Sequence, residues 1–186
     1  GSLGNDPNWN SGACVAYDLG TGAEMTVRRV APAPDGGVLV AGSVLQPAPP
    51  NGDLNWFVLK LTSSGGIDSG FGFFGVRVMA WNLGGPLADR LLDMAVDRRS
   101  GAIFLVGEVP FSTGRSGWLA KLSAAGNLDL AFGLGGYQSF TLDATGVPLA
   151  TSAAAVALDP VTGTIWVALE GDYVLGTHLA QTGVEP

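Results

Sequence analysis

Charge is scarce in this chain: only 13% of its 186 residues are charged, with nine basic residues against sixteen acidic ones. Binding a phosphate backbone needs clustered Lys and Arg. Here two Lys and seven Arg are scattered over a chain of net charge -7, which argues against a nucleic-acid partner. Arg28-Arg29 and Arg98-Arg99 are the only basic pairs and read as solvated strand or turn positions. A single cysteine, Cys14, makes no internal disulfide, so a cystine-stapled scaffold is excluded. At a strand start it reads as a small buried filler. The one histidine, His178, aligns with Lys60 and Lys121 and has no G-x-S-x-G elbow to accompany it. One His and one Cys cannot supply a metal hydrolase's ligand set. Long apolar runs are also missing. Mean hydropathy is +0.32, yet no stretch approaches the roughly 18 residues that span a bilayer. No segment sustains helical periodicity, and no signal peptide or anchor motif is present; Gly1-Ser2 reads as a cloning remnant.

What is present is glycine (29), proline (11) and 47% hydrophobic residues, the make-up of short strands joined by tight turns and not of a disordered chain. The chain also repeats itself. Leu61, Gly65, Asp68, Phe71, Gly72 and Gly75 return 61 positions later as Leu122, Gly126, Asp129, Phe132, Gly133 and Gly136. Equal spacing at successive anchors marks one structural unit used repeatedly. Each unit carries four strand signals. The first is expected at residues 26–31, 91–96 and 153–158, and the second, after a turn (APDGG, DRRSGA, DPVTGT), at 38–41, 103–106 and 165–168. The third is expected at 56–61, 118–122 and 174–179, and the fourth, after the Asp-x-x-Phe-Gly turn, at 76–80 and 137–142.

Four short strands per 61 residues is the content of one β-propeller blade. The expected fold is therefore all-β: a β-propeller-like array of three four-stranded antiparallel blades in one domain. Residues 1–24 close a blade, 25–85 form repeat one, 86–146 repeat two, and 147–186 a partial repeat three. Trp9 falls 62 positions before Phe71, which puts residues 15–17 at a fourth-strand position. Three blades are too few to close a ring, since propellers use about four to eight. Two chains joined as a six-bladed homodimer, each N-terminal strand completing the other's third blade, is the expected self-association. A cut from a longer array is the alternative.

The ending GNLDLAFGLGG (residues 126–136), with a hairpin such as APDGGVLVAG, resembles the delta-60 repeat family of bacterial β-propeller-like proteins. Repeats one and two carry the pattern well; in repeat three the expected Gly has become Leu169. The resemblance implies the fold and a secreted or cell-envelope setting, without an established catalytic activity or cofactor.

Individual motifs carry little chemistry. Residues 70–75 match G-x-G-x-x-G, but a strand follows where a dinucleotide site needs a helix, so the glycines read as a turn. Asp6, Asp68 and Asp129 share one position and read as turn-fixing acids, since a calcium site needs several oxygens and no D-x-D-x-D spacing exists. Trp9, Phe71 and Phe132 read as plugs between blades. The candidate binding surface comprises Asp53 and Trp56 beside the long loop 46–55, the loop-proximal Trp81, and Glu24 with Asp89, aligned ahead of the first strand as part of an acidic axial mouth. The expected function is a non-enzymatic structural or protein-binding module, needing no cofactor. A carbohydrate-binding propeller using exposed Trp, or a metal-assisted hydrolase, are the alternatives.

Overall fold

A computed structural model describes residues 7–14, 16–17, 19, 24–47, 52–81, 88–111, 114–140 and 151–171, and the backbone of 178–182. The fold is all-β. Among the described residues the only helical element is a single 3-10 turn, Asn10–Gly12. Sheet I runs β1 (Met25–Pro32), β2 (Val38–Gln46), β3 (Asp53–Leu61) and β4 (Val76–Met79). Sheet II repeats this with β5 (Arg90–Val96), β6 (Ile103–Phe111), β7 (Gly114–Leu122) and β8 (Tyr137–Phe140). Sheet III holds β9 (Thr151–Leu158), β10 (Ile165–Gly171) and β11 (His178–Thr182), with β11 at its edge among the described residues. All neighbouring strands are antiparallel and follow chain order.

The turns follow from their Asp and Gly residues. In APDGG the Ala33 amide donates to the Gly37 carbonyl, and Gly36 takes φ +83°, a left-handed conformation that favours glycine. The later turns are held by Asp97, which accepts from Arg99 N and Ser100 N, and by Asp159, which accepts from Val161 N and Thr162 N. These charge-stabilising bonds hold both carboxyls below the usual range, the Ser100 hydroxyl contributing most at Asp97 and the Val161 amide at Asp159.

The first strand of each sheet spends one residue on a bulge at the same place: Arg28 in β1, Leu92 in β5 and Ala154 in β9. Those bulges fix the true correspondence of the repeats. Met25, Asp89 and Thr151 are equivalent, so Asp89 matches Met25, not Glu24. Ladder pairing likewise sets Gln181, not His178, at the position of Lys60 and Lys121. The sequence alignment missed both because loop lengths differ, which changes the residue count without changing the register. The turn after the first strand is one residue shorter in repeat one (33–37) than in repeat two (97–102).

The sheets stack face to face in chain order. One face of sheet I (Leu39, Trp56, Val58, Phe71) buries against Leu91, Met94, Ile103 and Leu105 of sheet II. The opposite face of sheet II (Phe104, Val106, Leu119, Phe132) buries against Val156, Ile165 and Val167 of sheet III. The other face of sheet I, with Phe57, Leu59 and Leu61, is partly covered by Trp9, Tyr17 and Leu19. Ala16 and Tyr17 are not in a strand, so the fourth-strand role expected for 15–17 is not seen within this chain; Val15 lies outside the described residues. Cys14 is exposed, not buried. The third strand of repeat three is described at His178–Thr182, overlapping the expected 174–179 at residues 178–179, while residues 174–177 of that expectation lie outside the described residues.

Candidate functional site

The five residues singled out from the sequence divide sharply. Trp56 is fully buried, because β3 begins at Asp53 and alternation turns Trp56 into the joint between sheets I and II. Trp81 is half-buried and packs on Trp56, Trp118 and Tyr137, with Trp118 and Tyr137 stacked at 4.2 Å. Exposure was expected of both Trp side chains, and the structure overturns it for Trp56: an indole that seals a sheet joint cannot also stack on a sugar. Glu24 is exposed, and its carbonyl caps the end of β2 by accepting from Leu45 N.

Asp53 and Asp89 come together at the edge where sheet I hands the chain to sheet II, and both are buried, not exposed. The Asp89 amide donates to Leu54 O, and its carboxylate accepts from Trp81 N at 2.7 Å. Burial pushes the Asp89 carboxyl up to about 6; the Trp81 amide pulls the other way, and the charge of Asp53 adds to the rise. Two positions along β3 from Asp53, Asn55 donates to Gln46 Oε1. Asp53 Oδ1 and Asn55 Oδ1 are buried without a hydrogen-bond partner among the described residues. The acids therefore occupy a joint, not a mouth. Among the described residues no three His, Cys, Asp or Glu side chains gather into a metal-binding group.

The Asp-x-x-Phe-Gly turns are built as expected. Asp68 Oδ1 accepts from Gly70 N and Asp129 Oδ1 from Ala131 N, and each acid pairs with a lysine, Lys60 or Lys121, at 3.0 Å. Those lysine partners, with Asp35 as a second partner of Lys60, were not read from the sequence, although lysine recurs at the position. The aromatic that follows is a plug: an added methyl on Gly126 would meet the Phe71 ring at 2.8 Å, and one on Gly65 would meet Trp9 at 3.1 Å. The same main-chain bond accompanies both, Gly72 N to Ala125 O and Asn10 N to Ser64 O. Tyr17 adds a hydroxyl bond to Gly65 O. Trp9, Asn10 and Tyr17 thus seat on sheet I as the Phe71 turn seats on sheet II.

One feature of the surface went unread. Phe73 and Phe74 are 79% and 72% exposed and meet edge to face at 4.7 Å. Phe74 holds φ +51°, where repeat two has Gly135 at φ +71°. A left-handed conformation costs a bulky L-residue about 1–2 kcal/mol. The signal was available: an aromatic replaces glycine at an anchor-flanking turn position. Along β1, β5 and β9, Arg29, Met94 and Val156, with Arg98 of the turn after β5, line an open cleft of about 360 Å³. Arg29 pairs with Asp93 at 3.2 Å, and Asp93 also accepts from Val156 N.

The chain matches no protein-family model, and no curated protein is significantly similar to it.

Proposed function

We propose that the chain is a non-enzymatic structural and protein-binding module, a β-propeller-like array whose constant sheets display variable turns to a protein partner. The observation that carries this reading is the Phe73–Phe74 pair: two large rings held in water, one of them in a strained backbone conformation. Strain kept at an exposed position points to use and not to packing, and aromatic anchors dominate the energetics of protein interfaces. Three stacked antiparallel sheets with their bulges in common register support the propeller-like reading. Its setting, by the resemblance of its repeats, is extracytoplasmic.

The test is affinity capture from secreted and envelope fractions with wild type and the Phe73→Ser/Phe74→Gly double variant. Proteins retained by wild type and lost from a variant of equal thermal stability support the assignment. Equal retention by both would remove it.

A further inference from the structure

The two outer faces of the stack are halves of the same joint. Across the two joints within the chain, three positions compare directly through the ladder registers. Val27 and Val30 of sheet I are 53% and 59% exposed, while their equivalents Leu91 and Met94 are 0% and 1% exposed, and Ala153 and Val156 are 0% and 7%. On the far side Trp166 of sheet III is 38% exposed, against 2% for Leu39 and 5% for Phe104 at the same register. Each of these three positions, exposed here, is one that the repeat buries elsewhere. What buries it elsewhere is the complementary face of another sheet of this same chain.

We infer that a second copy of this chain is the occupant, stacking the leading face of its sheet I on the trailing face of sheet III, and reciprocally, in a closed two-chain ring of six sheets. The Trp9 segment supplies a further argument. It seats on sheet I as the closing turn of a preceding sheet does, through the same main-chain bond and the same aromatic plug. The preceding sheet is then the partner's sheet III, whose β11 edge has no further strand among the described residues. Ring closure satisfies both ends at once, whereas an uncapped sheet edge invites open-ended association. Six sheets also fall inside the range in which such rings close. This contact uses neither Phe73 nor Phe74, so it stands or falls separately from the protein-binding reading above.

Sedimentation or light scattering of the purified chain tests it, with Trp166→Glu and Val30→Asp as variants. Val30 is 59% and Trp166 38% exposed in the single chain, so thermal unfolding of each variant is measured alongside, and a variant that melts like wild type has kept its own core. Wild type is expected at twice the 18.9 kDa chain mass. Each variant alone is expected to dissociate at least about a hundredfold more readily, because a charge is buried in both joints of the ring. An equimolar mixture of the two variants regains one intact joint and is expected to recover a heterodimer, weaker than wild type. A monomeric wild type up to about 100 µM, a ladder of higher oligomers, variants that pair like wild type, or a mixture no better than its components would each overturn the closed head-to-tail ring.

Discussion

The Asp89 carboxyl offers a measurement that isolates one buried group. It titrates at about 6 in the folded chain, chiefly because it is buried, against an ordinary value of 3.8. A carboxyl raised in the folded state binds its proton more tightly there than in the unfolded chain. Its contribution to stability is therefore fully present below about pH 4 and lost as pH climbs through about 6. At pH 7 the ionised group is worse off by about 3 kcal/mol than a neutral one in the same place. Asp89→Asn keeps an acceptor for the Trp81 amide and removes the charge. Urea unfolding of both proteins between pH 4 and 8 should show near-equal stability at pH 4. Toward pH 7 the variant should gain over wild type, by up to about 3 kcal/mol. Taking the difference cancels Asp35, Asp97, Asp129 and Asp159, whose lowered values make the protein weaken in acid for the opposite reason. A difference that does not change with pH would refute the claim that the joint between sheets I and II buries an uncompensated acid.

Three more outcomes follow from the joints and turns. Phe71→Ala and Phe132→Ala should each cost about 3–5 kcal/mol in chemical denaturation, and by similar amounts, because both rings are equivalent plugs. A large cost at one and none at the other would break the equivalence. Gly126→Ala should lose about 2–4 kcal/mol through left-handed strain plus collision with the Phe71 ring, and Gly65→Ala less, because its neighbours stand farther off. Phe74→Gly should leave the melting temperature unchanged or raise it, since it relieves strain at an exposed site; a clear fall in melting temperature would show hidden packing.

Much of the frame was legible because local chemistry dictates it. Asp-Gly turns and short Val/Ile/Leu runs specify hairpins whatever their surroundings. The equal spacing of the repeats therefore marks Phe71 and Phe132 as matched plugs in the sequence itself. The candidate surface was less legible, because position next to a loop says little about which face of a strand a side chain takes. Trp56 lies just past a long connection, yet β3 already runs from Asp53, and alternation sends the indole inward. Asp53 and Asp89 misled for the related reason that acids are usually exposed. Their burial is a product of where two sheets meet, which no local pattern records. The pairing of Glu24 with Asp89 failed by one residue, because the turn after β1 (33–37) is one residue shorter than the turn after β5 (97–102).

The shared bulges have an electrical consequence. They bring Arg29, Asp93 and Ala155 to the same step of β1, β5 and β9. Arg29 grips Asp93, and Asp93 grips the Val156 amide, so polar coupling passes through both internal joints. At the third step a methyl group stands where the others carry charge, and the ladder stops. Whatever docks beyond sheet III finds no ion at that step, but it meets the exposed Glu170 at the register where Glu108 bonds Ser152 across the joint between sheets II and III. Burial of Trp166 and a salt-sensitive contact to Glu170 therefore decide that attachment together.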